Sequence, residues 1–102
     1  MDVIHDTANK KFITMVEGGE AHILYRRGPQ NSYELYSTLV PPEARGKNIA
    51  DQMLRAALKQ IAEENVQVIA TCPYVVAWFR KHPEEKGILY RGDNANLKDR
   101  KS

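Results

Sequence analysis

The chain has 102 residues, of which 42% are hydrophobic and 27% charged, and 15 Lys and Arg against 13 Asp and Glu leave a formal net charge of +2 at pH 7. One domain of the usual size, about 100 to 200 residues, fills such a length. It leaves no room for separate cofactor and substrate domains, and its composition excludes disorder along the whole chain.

The small net charge does not point to nucleic acid or membrane as a partner. The longest apolar run, Val75-Val76-Ala77-Trp78-Phe79, is far short of the roughly 20 residues that span a bilayer. The N-terminus Met1-Asp2-Val3-Ile4-His5-Asp6 lacks the basic and apolar regions of an export signal. Cys72 is the one cysteine, so no internal disulfide can form, and a lone thiol fits a cytoplasmic location.

The first 40 residues read as strands. A short edge strand is expected over residues 3–5 and a β-rich one over 11–16, followed by the turn Glu17-Gly18-Gly19. A weak period of two runs through residues 20–26, and Arg27-Gly28-Pro29-Gln30-Asn31 is a second turn. Residues 33–40 form the next strand, with Tyr33, Leu35, Ser37 and Leu39 expected on one face. Pro41-Pro42 ends it, because neither residue can donate a ladder hydrogen bond.

The strongest element follows. Ala50, Met53, Leu54, Ala57, Leu58 and Ile61 make a helical apolar stripe, which predicts a helix over residues 47–64 that stops at Asn65. Val66, Val68, Ile69 and Ala70 are a short strand, and a second helix over residues 75–81 ends at Pro83. Residues 87–91 are a candidate last strand. Residues 1–92 are thus expected to form one mixed α and β domain, and the polar residues 93–102 a flexible tail.

The stretch Val40-Pro41-Pro42-Glu43-Ala44-Arg45-Gly46-Lys47-Asn48-Ile49-Ala50 carries most of the functional information. A strand ends, a short basic loop follows and a helix begins. The first N–H groups of a helix have no intrahelical partner, and its dipole adds partial positive charge there. Such a loop can receive an anion, with Gly46 permitting close approach and Arg45 and Lys47 adding charge. It can equally be an ordinary connection with solvated basic residues.

In its order of strand, Arg-Gly loop, amphipathic helix, strand and helix, the chain resembles the GNAT-type N-acetyltransferase superfamily. Its Cys72-Pro73-Tyr74 and His82-Pro83-Glu84 are similar to motifs of the very small single-domain members. The resemblance covers residues 10–90 and implies an antiparallel β-meander followed by a β-α-β-α unit, one mixed sheet with packed helices. It implies acetyl-CoA as co-substrate and an amine as acceptor. By the same resemblance, Leu39 and Val40 would hold the pantetheine arm, and Arg45, Gly46, Lys47, Asn48, Ile49 and Ala50 the pyrophosphate. Three positions depart from the family's pattern. Asn48 stands for a loop glycine, Ser37-Thr38 for a His-Thr pair, and Phe79 for a tyrosine that protonates the departing thiolate.

Cys72 is a candidate nucleophile, or a small buried apolar side chain. Tyr74 is a candidate general acid, or a ring that caps the sheet. His5, His22 and His82 lack metal-ligand spacing, so no metal site is expected. The leading expectation is an N-acetyltransferase acting as a monomer or weak dimer. The alternative is a non-catalytic CoA-binding or protein-interaction module of the same fold, while a nucleic-acid binder has only Arg26-Arg27 and the basic tail in its favour.

Overall fold

The computed structural model describes residues 1–91. Strands β1 (Ile4–Asp6), β2 (Lys11–Val16), β3 (Gly19–Gly28) and β4 (Ser32–Leu39) form an antiparallel meander. Helix α1 (Ile49–Glu63) then crosses over to β5 (Gln67–Ala70), which pairs with β4 in parallel. Helix α2 (Pro73–Lys81) and a 3₁₀ segment Pro83–Ile88 complete the fold. The strands lie in sequence order in one mixed five-stranded sheet. No helix among the described residues is long and apolar enough to cross a membrane.

The core lies where the sheet meets the helices. Phe12, Ile23 and Leu35 from the strands meet Met53, Leu54 and Ile61 from α1, all fully buried, with Val75, Trp78 and Phe79 of α2 alongside. The apolar stripe read from the sequence is therefore the buried face of α1, and truncating any of its large residues would cost about 2–5 kcal/mol. Asn65 ends α1 as expected. It adopts a left-handed φ of 60°, its N–H bonds Ala62 O at 3.0 Å, and Val66 N–H bonds Ile61 O at 3.2 Å. These are the two bonds of a Schellman closure, and Asn is among the few side chains that tolerate that conformation.

Two expectations are corrected. Residues 87–91 do not form a strand: the 3₁₀ segment runs to Ile88, and only an isolated bridge joins Leu89 to Val68. Leu39 does not share the face of Tyr33 and Leu35. Tyr25 pairs with Leu35 but Leu24 with Ser37, so Tyr36 is an extra residue on β4. One bulged residue reverses the alternation beyond it. Thr38 turns inward beside Ile23, and Leu39 turns outward, 46% exposed. The helix bounds also differ at their starts, α1 beginning at Ile49 and α2 at Pro73. The tail at 93–102 lies outside the described residues.

Candidate functional site

The site begins where β4 and β5 part. Their pairing runs from Ser32↔Gln67 to Leu35↔Ala70, and the N–H groups of Thr71 and Cys72 then converge on the Leu35 carbonyl at 3.1 and 3.0 Å. Beyond that point β5 turns into α2 while β4 continues to Leu39. The two strands make a fork, with its vertex at Leu35. Near the vertex Thr38 Oγ1 lies 3.4 Å from Cys72 Sγ, a contact that depends on the Tyr36 bulge.

The loop at the open end of the fork has an unusual backbone. After the 3₁₀ turn Pro42–Ala44, Gly46 has φ 82° and Asn48 has φ 62°, both left-handed. Glycine takes this conformation freely, and Asn pays less for it than most residues. Asn48 therefore occupies a left-handed position without a glycine, although its side chain does not cap α1. The first helical bond is from Gln52 N–H to Asn48 O at 3.2 Å. The N–H groups of residues 46–51 make no hydrogen bond of ordinary geometry to any described residue. They leave a row of donors at the positive end of a 15-residue helix.

A cavity of about 230 Å³ opens on this row, lined by Val40, Ala44, Arg45, Gly46, Asn48, Ile49, Ala50, Asp51 and Tyr74. Arg45 is braced from its Nε to the Val40 carbonyl at 3.1 Å. Asp51 puts a carboxylate at the rim, but α2 and α1 both claim it. Trp78 Nε1 donates to Oδ1 at 2.7 Å and Arg55 Nε to Oδ2 at 3.0 Å. The indole bond first, and the guanidinium second, hold its carboxyl below the usual range. Its charge is thus tied back toward the helices. Tyr74 is 37% exposed, and burial, followed by the negative charge of Asp51, pushes its phenol up. It stays protonated at neutral pH and can donate.

Of the residues singled out from the sequence, Val40, Arg45, Gly46, Asn48, Ile49, Ala50 and Tyr74 line one cavity. Leu39, Lys47 and Cys72 do not. Leu39 is turned out by the bulge, and Cys72 is buried at 3% exposure beneath the fork. Lys47 points to the β2–β3 turn, where its Nζ meets Glu17 Oε1 at 2.8 Å. That turn also packs Gly18 against the Glu43 side chain so closely that a Cβ would collide with it. Nothing local in the sequence marks this docking. Ala44 and Asp51 were missed as lining residues, though an acidic residue in the first turn of a helix is a familiar position. Phe79 is buried in the core at 3% exposure.

A second polar cluster lies away from the cavity. His5 stacks on Phe12 with ring centroids 4.3 Å apart, its Nε2 lies 2.6 Å from Tyr25 Oη, and its Nδ1 lies 3.2 Å from Glu64. Tyr33 donates to Glu64 at 3.0 Å and stacks on Tyr25. Burial, then the bond to Glu64, pushes the Tyr33 phenol up to about 12. Among the described residues, no group of three or more His, Cys, Asp or Glu is placed to hold a metal ion.

Residues 11–88 match the family profile of the GCN5-related N-acetyl-transferases. The chain belongs to this family. It is 30% identical over 83 residues to Protein NATD1 of Homo sapiens, covering 79% of this chain and 74% of that one. It is 29% identical over 85 residues to Protein NATD1 of Gallus gallus, covering 81% and 77%. A GCN5-like protein from Staphylococcus aureus, with a solution structure determined by NMR, shares the fold at a TM-score of 0.68 and 22% identity, over 87% of both chains. GCN5-related N-acetyltransferases use acetyl-CoA as acetyl donor.

Proposed function

We propose that this chain is an acetyl-CoA-dependent N-acetyltransferase whose donor lies in the fork between β4 and β5. The observation that carries the reading is the row of unpaired N–H groups at residues 46–51, five of which belong to residues that line a cavity at the fork's open end. In this reading the pyrophosphate takes those donors, with Arg45 adding charge. The pantetheine arm runs past Val40 toward the vertex at Leu35, beyond which β4 has no pairing on its β5 side.

An acceptor amine, delivered as the free base, attacks the thioester carbonyl, and the C–S bond breaks to release CoA thiolate. The amine loses its proton to water, since Ser37 and Thr38 replace the His-Thr pair of the family's pattern and neither is a base at neutral pH. Tyr74, a protonated phenol on the wall of the cavity assigned to the pyrophosphate, donates a hydrogen bond there, and the thiolate takes its proton from water. Direct attack is favoured over a covalent route because Cys72 is buried at 3% exposure. Two measurements test the proposal. Acetyl-CoA should raise the melting temperature, as any ligand selective for the folded state does. Release of free CoA thiol with a panel of primary amines should exceed the rate without amine. Binding without thiol release would leave a CoA-binding module instead, and no binding would refute both.

A further inference from the structure

The edge of β5 away from β4 carries an incomplete ladder. Gln67 and Thr71 donate their N–H groups toward β4, to Asn31 O and Leu35 O, so by alternation Val68 and Ala70 point theirs the other way. Val68 O accepts from Tyr90 N–H at 2.7 Å, but the backbone N–H and C=O of Ala70 have no partner among the described residues. One rung of a sheet edge is thus open. Beside it lies a groove of about 440 Å³, walled by Ile69, Val76, Phe79 and Leu89, within the range of binding clefts, about 300–1,000 Å³. Arg80 and Lys86 stand on its rim, both exposed and neither within salt-bridge distance of a described carboxylate. Glu84 and Glu85 line a different cavity, against α1.

We propose that this edge binds an extended, acidic peptide segment of a partner protein by strand addition. The peptide's backbone would pair with Ala70, an apolar side chain would enter the groove, and flanking carboxylates would meet Arg80 and Lys86. Strand addition draws affinity from main-chain bonds and specificity from alternate side chains. An open edge that is otherwise a liability for self-association is here flanked by two like charges. The two cations repel a second copy bringing the same rim and favour an anionic partner. The surface is distinct from the fork, so the proposal does not depend on the acetyltransferase reading.

The test titrates the blocked peptide EDVLVDE, and its basic counterpart KKVLVKK, into the full-length ¹⁵N-labelled chain. The acidic peptide should shift the amides of residues 68–70, 76, 79 and 89 and bind at least about tenfold more tightly than the basic one. The double variant Arg80→Glu, Lys86→Glu should erase that preference, and Ala70→Pro, which removes the open donor, should abolish binding by both. Equal binding of the two peptides, or no shifts at residues 68–70, would overturn the proposal. So would groove shifts on simple concentration of the chain, which would assign the edge to a second copy. A tighter peptide complex for Leu97→Asp would likewise overturn it, by making the chain's own C-terminal residues the occupant.

Discussion

Replacing Arg45 by Glu should separate donor binding from folding. Arg45 is exposed at the cavity mouth, braced to the Val40 carbonyl through one bond. The substitution changes the local charge by two units. Two unit charges about 6 Å apart interact by about 0.7 kcal/mol in bulk water and about 1.4 kcal/mol at an effective dielectric of about 40. Against a single phosphate charge the change therefore amounts to about 1.4–2.8 kcal/mol, or about tenfold to hundredfold in affinity.

Folding should respond much less. The lost bond to Val40 is solvent-exposed, and a carboxylate ahead of α1 gains about 0.3–1 kcal/mol from the helix dipole. These terms oppose each other, so the melting temperature should stay within about 4 °C of the parent. Lys47→Gln supplies the internal contrast. Its ammonium is engaged by Glu17 at the β2–β3 turn and Lys47 does not line the cavity, so acetyl-CoA affinity should fall by no more than about fivefold, a change of about 1 kcal/mol. Calorimetry on the three proteins reads all of this directly. Equal affinity in the parent and the Arg45→Glu protein, both folded, would refute the assignment of the diphosphate to this loop.

Asn48→Gly should leave stability nearly unchanged, because relief at φ 62° is offset by a more flexible unfolded chain, and donor affinity should be equal or higher. Asn48→Val should cost about 1–2 kcal/mol by chemical denaturation, since a β-branched side chain resists the left-handed region; an unaffected midpoint would mean that the loop adopts another conformation. Trp78→Phe deletes the main bond that holds the Asp51 carboxyl down. A lowered folded pKa contributes stability above the unfolded value that disappears as pH falls through the folded one. Melts between pH 2 and 7 should therefore show a shallower acid loss in this variant than in the parent. Tyr33 behaves in the opposite sense: its folded pKa is raised, to about 12, so its contribution is present below about 10 and is lost as pH climbs toward 12. Tyr33→Phe should flatten that alkaline decline, and an identical slope would remove Tyr33 as its cause.

What the sequence made legible was what local rules control. The stripe from Ala50 to Ile61 fixed a helix face because its period is independent of anything distant. Pro41-Pro42, Gly46 and Asn65 marked boundaries because their backbone preferences are intrinsic. The side chains that miss the cavity were set by non-local events. A single bulged residue, Tyr36, turned Leu39 out and Thr38 in, and no period-two count can register an insertion created by pairing with β3. Lys47 carries its charge in the basic loop, yet Glu17, distant in sequence, meets its ammonium at 2.8 Å. Trp78 read correctly as core, while its indole N–H also orients Asp51 at the cavity rim. That second task follows only from the packing of α2 against α1.

The most direct measurement is an amide-resolved NMR titration of the ¹⁵N-labelled chain with acetyl-CoA. If the diphosphate rests on the unpaired N–H groups at the start of α1, the largest shifts should fall on residues 46–51, with further shifts at Val40 and Tyr74. Residues of β1, at the edge of the sheet opposite β5, should not move. Saturable shifts confined to any other surface, with residues 46–51 unmoved, would contradict the account.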